Sequence, residues 1–325
     1  MFNRSIKRQE NALNTWVITG ANGNLGKRMI SELSNEEGSL VRAIVRSQSA
    51  ATTIQELPLS AQQRSRLDVH ICDYTDREAL SEAFKGYSNL VHLVGILKET
   101  SHSTYLDAHE RSCEAVSDAA RDANVSYMVY LSIVGSHSES HNRCLASKGN
   151  AEQIVINKGV DSCVLRVPMV LGEQDYASTA LYYRALKPIS LAFRASSLEQ
   201  PIYAGDVLKA IRSVCRNQVR GSFDLAGPEV LTREALVQKA AGILGRSTRV
   251  ISLPIWLGSL IARFLEVVMS NPPITSAMLG VLDHDDDLDS LKAIERIGLQ
   301  SLTPLERMLE LVFQVIPGAS IKKED

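Results

Sequence analysis

The chain has 325 residues, of which 45% are hydrophobic and 22% charged, a globular balance that excludes a disordered chain, a collagen-like repeat and a coiled coil. Lys plus Arg total 35 against 37 for Asp plus Glu, a formal net charge of −2, so there is no global positive field to hold nucleic acid. This length suits one large or two modest domains, and no run reaches the ~18 apolar residues of a membrane span.

The first 14 residues, MFNRSIKRQENALN, carry basic side chains without the apolar stretch of a secretory signal. They read as a polar N-terminal extension, with the remnant of an organellar targeting peptide as the alternative. From Thr15, short apolar runs alternate with helical patterns: TWVIT (15–19), LVRAIV (40–45), LDVHI (67–71), NLVHLV (89–94), YMVYLS (127–132) and DSCVLRV (161–167). Runs this rich in Val, Ile and Leu on both faces suit the buried middle of a parallel sheet. Between them, REALSEAF (77–84) and TYLDAHERSCEAVSDAARDA (104–123) place apolar residues at helical spacing. Alternating βαβ units imply an α/β fold, a Rossmann-type doubly wound parallel sheet over about 15–170, with ligands at the carboxyl ends of its strands.

Beyond Pro168 the alternation loosens. TALYYRALKPI (179–189) reads as a helix and GSFDLAG (221–227) as a turn and short strand. LTREALVQKAAGILG (231–245) has Thr232 placed as an N-cap and Gly245 as a C-cap. PIWLGSLIARFLEVVM (254–269) is a second helical piece, stopped by Asn-Pro-Pro at 271–273. Residues 171–325 are therefore expected to form a smaller, mostly helical C-terminal cap for a substrate or partner. The five cysteines, Cys72, Cys113, Cys144, Cys163 and Cys215, include no CxxC pair. An odd, scattered set in a chain able to build its own core points to a reduced intracellular compartment, cytoplasmic or organellar matrix.

The strongest chemical signal is Gly20-Ala-Asn22-Gly23-Asn24-Leu25-Gly26, directly after a strand and opening a helix. Glycine is needed there for the tight turn, for backbone approach to a pyrophosphate and for close helix–strand packing. The helix N-terminus then offers free N–H groups to phosphates. The bland alternative is a structural turn in a fold that binds nothing. After the second run the chain reads Val45-Arg46-Ser47, with no acid to meet a ribose 2′-hydroxyl. Arg46 there, with Arg42, Lys27 and Arg28 nearby in sequence, favours NADP(H) over NAD(H), unless Arg46 is merely a solvated loop charge. Asp73 and Tyr74 follow the third run at the adenine side. Leu93, Val94 and Gly95 follow the fourth, under the ribose and nicotinamide side, and Val167 and Pro168 close the sixth.

The TGxxGxxG pattern, Asp73, Ser132 after the fifth run and Lys148 in the next helix resemble the short-chain dehydrogenase/reductase superfamily. The resemblance implies an active site of Tyr-x-x-x-Lys with an upstream Ser, the tyrosine acting as acid/base and the lysine holding the ribose. This chain keeps Ser132 and Lys148 but reads Cys144-Leu-Ala-Ser-Lys148. A thiol has a lower intrinsic pKa than a phenol and no aromatic reach, which counts against turnover. NLVHLVGILKET (89–100), QPIYAGDVLKAI (200–211), FDLAGPEVLTREALVQKAAGILGR (223–246) and VISLPIWLGSLIARFLE (250–266) are similar to the atypical, NmrA-like and epimerase-like members. Among these are the nucleotide-binding accessory subunit of respiratory complex I and its bacterial relatives. The similarity runs from Thr15 to about Leu309, including PPIT at 272–275. It implies bound NADPH without established turnover and a scaffold, assembly or sensing role beside a membrane complex.

Other features compete. His137 and His141 have a helical spacing that suits metal ligands, but their stretch is serine-rich and no third ligand is evident; no metal is expected. Cys144 reads either as an inert buried thiol or as a nucleophile helped by Lys148. The acidic run Asp283–Asp287 lacks the EF-hand spacing and reads as a solvated loop. The stretch Ile255–Met269, charged only at Arg263 and Glu266, either packs on its own domain or touches a membrane surface or partner. Two functions stay open: an NADP(H)-binding scaffold or assembly protein, and an active NADPH-dependent reductase or epimerase on a small or quinone-like substrate.

Overall fold

A computed structural model describes residues 14–316 except Ser270 and Leu282; all but Asn14 of the polar N-terminal extension lies outside the described residues. The apolar runs form strands β1 (Thr15–Thr19), β2 (Leu40–Val45), β3 (Leu67–Ile71), β4 (Asn89–His92), β5 (Tyr127–Ile133) and β6 (Ser162–Val167). Two later strands pair as a small parallel ribbon, β7 (Ile189–Phe193) and β9 (Arg249–Leu253). Between them, β8 (Gly221–Asp224) joins the main sheet, whose all-parallel order is β8-β6-β5-β4-β1-β2-β3. Order reverses between β1 and β4, which opens a crevice at their carboxyl ends.

The strand period of two sends alternate side chains to opposite faces. Trp16, Ile18, Ala43 and Val45 join one core with Met29, Ile30 and Leu33 of helix α1 (Asn24–Ser34). Helix α2 (Gln48–Gln55) belongs to that face. Val17, Ile44 and Leu90 join the opposite core, under α3 (Arg77–Phe84), α4 (Ser112–Asp122) and α5 (Arg143–Asn157). In register, Ile18 lies between Ala43 and Val91, all fully buried.

A third cluster gathers α6 (Tyr176–Ala185), α8 (Arg233–Ile243) and α12 (Leu305–Gln314) around Tyr182, Leu236 and Phe313. Between α6 and α8, helix α7 (Ala204–Asn217) returns to the first core through Val207 and Ile211, just ahead of β8. Thr232 caps α8 by accepting the Ala235 N–H, and Gly245 lies two residues past its end with φ 65°. The C-terminal part also contains α9 (Ile255–Val268), α10 (Ser276–Val281) and α11 (Leu291–Ile297). This is the doubly wound Rossmann-type sheet with a largely helical C-terminal part that the sequence leads one to expect.

Candidate functional site

The glycine turn stands at the crevice because each glycine answers to a close neighbour. Gly20 has φ 74°, and a Cβ there would come within 3.0 Å of the Leu93 carbonyl carbon. A Cβ on Gly26 would sit 2.5 Å from the Ala21 carbonyl oxygen, closer than real side chains stand, so α1 meets β1 only through glycine. Gly23 is the N-cap of α1 and supplies no side-chain cap. The first-turn N–H groups of Asn24, Leu25 and Gly26 therefore open toward the crevice. The cleft, of about 250 Å³, is lined by Gly20, Gly23, Asn24, Leu25, Gly26, Leu93, Val170 and Asp175. Asn22 is exposed at the tip of the turn. No acidic side chain stands in the first turn of α1. This empty-handed helix start, floored by glycines, fits a pyrophosphate.

Two neighbours at the strand ends divide the work. Arg46, directly after β2, is exposed, with its guanidinium 5.5 Å over the Tyr74 ring. Ser47 caps α2 by accepting the Ala50 N–H. Tyr74 is buried and already used: its hydroxyl accepts from Gly20 N–H and donates to the Ile44 carbonyl, each at 3.0 Å. It ties the glycine turn to β2 instead of facing the cleft. Asp73 is exposed and takes the Thr75 N–H and hydroxyl on Oδ1 at 2.8 and 2.7 Å. Those bonds, the hydroxyl's first, hold its carboxyl below the usual range.

Farther along the crevice, Leu93 N–H donates to the Thr19 carbonyl, carrying 93–95 past the end of β1. Lys148 of α5 reaches that turn from the interior. Its Nζ donates to the carbonyls of Leu131 (3.1 Å) and Val94 (3.4 Å) and lies 4.6 Å above the Tyr130 ring. A Cβ on Gly95 would stand 2.8 Å from Nζ, so Gly95 makes room for the ammonium. Burial pulls the Lys148 pKa down to about 8. Cys144, one turn earlier, is fully buried, its thiol directed at the Ile96 carbonyl at 3.5 Å. Burial pushes it up to about 11, so it is a thiol at neutral pH. The Ser132 hydroxyl is also buried and donates to Glu152 Oε1 at 2.5 Å. Glu152 in turn accepts from Arg166 Nε at 2.9 Å and Nη2 at 2.6 Å. Ser132 thus donates to the buried carboxylate of a partly exposed ion pair, next to the carbonyl of Leu131 that Lys148 holds. Val167 is buried, its carbonyl accepting Val134 N–H, and half-buried Pro168 follows it.

Sequence reasoning missed a strap. Glu173 is bound by Arg28 of α1 and accepts the Tyr203 hydroxyl at 2.5 Å. Gln174 has φ 64°, and its carbonyl accepts from Asn24 Nδ2 at 3.5 Å. Asp175 lines the cleft with its Oδ1 unpartnered, and burial raises its pKa. Two further residues without a sequence signal are His92 and His109, both fully buried. His92 Nδ1 shares a hydrogen bond with Thr19 Oγ1 at 2.6 Å, and His109 Nε2 accepts the Ile96 N–H at 3.1 Å. Their other ring nitrogens have no partner.

Among the described residues no group of three or more His, Cys, Asp or Glu is gathered to hold a metal ion. His137 Nδ1 accepts the Glu139 N–H. In the acidic run, Asp283 and Asp285 both pair with Arg194. All five cysteines are free and buried. No helix among the described residues is long and apolar enough to cross a membrane.

Residues 20–187 match the profile of a family described as NAD(P)H-binding. The chain is 24% identical over 297 residues to the mouse (Mus musculus) mitochondrial NADH dehydrogenase [ubiquinone] 1 alpha subcomplex subunit 9, covering 89% of this chain and 77% of that protein. It is 24% identical over 241 residues to a ceramide reductase of Caulobacter vibrioides, covering 73% of each. In fold it is similar to the UDP-N-acetylglucosamine 4-epimerase of Bacillus cereus, with TM-score 0.67, 17% identity and coverage of 94% of this chain and 97% of that one. With the glycine turn at the switch point of a parallel sheet, and the profile matched over more than half its length, the chain belongs to the NAD(P)H-binding family and has the short-chain dehydrogenase/reductase fold.

Proposed function

We propose that the protein holds NADP(H) as a resident ligand and serves as a scaffold or assembly component of a membrane-associated complex, without turning the dinucleotide over. The observation that carries this reading is Cys144: where the resemblance puts a phenol there is a sealed thiol, protonated at neutral pH and directed at a backbone carbonyl. The N-terminal turn of α1 would take the pyrophosphate. Arg46 would take a 2′-phosphate, since it is exposed, has no ion-pair partner among the described residues, and no carboxylate follows β2. Lys148, to which the resemblance gives the nicotinamide ribose, would reach it by giving up its bonds to the Leu131 and Val94 carbonyls. When bound, such a ligand offers a hydride, and this chain presents no exposed acid at position 144 to deliver the accompanying proton. The mitochondrial NADH dehydrogenase relative supports the partner class.

A second reading is an NADPH-dependent reductase or epimerase on a small or quinone-like molecule. It is favoured by Lys148, whose depressed pKa puts its titration near pH 8, and by the ceramide reductase relative. Mass spectrometry of small molecules released from the purified, denatured protein separates the two. The first reading expects NADPH that survives dialysis and stays reduced for hours, and its loss in Gly26→Asp but not in Cys144→Ala. Consumption of NADPH with a carbonyl or quinone acceptor supports the second. Absence of both NADPH and NADH, with no binding on titration, overturns both.

A further inference from the structure

Helix α9 is built inside out. Its small residues, Gly258 and Ala262, are the buried ones, and a Cβ on Gly258 would meet the Phe193 ring at 2.9 Å. Its bulky residues face outward: Trp256 is 65% exposed, Leu260 60%, Phe264 64% and Val267 86%, with Ile261, Val268 and Met269 also exposed. The spacing of 256, 260, 264 and 267 aligns these side chains along one stripe. The β7/β9 ribbon, on which the inner face of α9 rests at Phe193, adds Ile189, Leu191 and Ile251, exposed on one face. An apolar patch this extended marks an interaction site.

The charges around the patch identify what it meets. Arg249 pairs with Ile189 in the ribbon, on the face that carries Ile251. Lys187 precedes β7, Arg246 precedes β9, and Arg263 flanks the helical stripe. All four are exposed and without an ion-pair partner among the described residues. The helix has a single carboxylate, Glu266, and it is taken by the Ser276 N–H (2.7 Å) and hydroxyl (3.0 Å). An outward Trp, Phe and aliphatic stripe fringed by unpaired cations suits the headgroup boundary of an anionic bilayer, where Trp anchors and Lys and Arg reach the phosphates. The helix spans only 14 residues, so it would lie in the interface plane.

From this we infer that α9 and the β7/β9 ribbon form a docking surface for an anionic membrane. The surface lies outside the dinucleotide cleft, so vesicle binding and NADPH binding can fail independently. The test is flotation of the full chain with phosphatidylcholine vesicles, with and without about one-third phosphatidylglycerol. The expected result is recovery with the anionic vesicles only, weakened by salt. In Leu260→Asp/Phe264→Asp, vesicle partitioning should fall about tenfold or more, with the circular dichroism spectrum and NADPH titration unchanged. Arg249→Gln/Arg263→Gln should keep the fold and lose the preference for anionic vesicles. The inference is overturned if the parent chain floats with neither composition, or if the aspartate variant floats as well as the parent. A parent dimer that the aspartate variant breaks, with no vesicle binding, assigns the surface to a second copy and also overturns it.

Discussion

Two buried imidazoles contribute to the acid response of the molecule. Burial first, and the Lys148 charge second, pull the pKa of His92 and of His109 from 6.5 to about 3. In each case the folded chain holds the ring neutral at pH values where the unfolded chain takes up a proton. The unfolded state therefore binds more protons between pH 6.5 and about 3, and stability falls as the pH drops through that window. Each ring contributes up to about 1.4 kcal/mol per pH unit there. Urea unfolding at several pH values between 7 and 4, compared with His109→Gln, should show a shallower acid loss in the variant. Parallel curves for the two proteins would assign the loss to other groups. Lys148 works in the opposite range. Its depressed pKa makes the unfolded state the better proton binder between about pH 8 and 10.5, so its contribution to stability rises with pH there.

At the scale of elements, α1 and the strap at 172–175 face each other across the cleft. Helix N-termini favour anions, yet the strap places the Asp175 carboxylate beside that terminus. A pyrophosphate bound there meets a like charge in a poorly solvated setting. Asp175→Asn is therefore expected to tighten NADPH binding several-fold, with a gain that shrinks as salt rises. Isothermal titration at two ionic strengths checks this; weaker binding in the variant would mean that Asp175 contacts the ligand through a donor that the amide cannot replace. The sequence carried α1 and its glycine turn because that signal is local: strand, three glycines and helix within a dozen residues. The Thr232 cap was legible for the same reason. The strap was not, because Arg28 and Glu173 meet only after five strands of the main sheet have been laid down between them. The bonds of the Tyr74 hydroxyl to Gly20 and Ile44 were not legible either, because a hydroxyl's partners depend on which backbone groups the fold brings near it. Helix α9 was ambiguous in another way. Its apolarity left packing and surface contact both open, and only the fold shows Gly258 and Ala262 turned inward with Trp256, Leu260, Phe264 and Val267 turned out.

Across the whole molecule, the two halves of the chain are interleaved through the sheet. The outermost strand, β8, pairs with β6 from Gly221↔Cys163 to Asp224↔Arg166, and Arg166 reaches toward Asp224 at 3.6 Å. A chain stopped after Arg220 is expected to aggregate, because β6 then presents an unpaired edge and the helical cluster loses α8 and α12. Sedimentation of the freshly synthesised fragment checks this, and a monomeric fragment that binds NADPH would show the seventh strand to be dispensable. Time enters through the same strand. A ribosome adding about 5–20 residues per second needs several seconds to cover the roughly fifty residues between β6 and β8. During that interval the sheet is six strands wide, with an apolar edge open. The nascent chain thus depends on whatever shields that edge until the missing strand emerges, and the speed of translation through this interval becomes a determinant of yield.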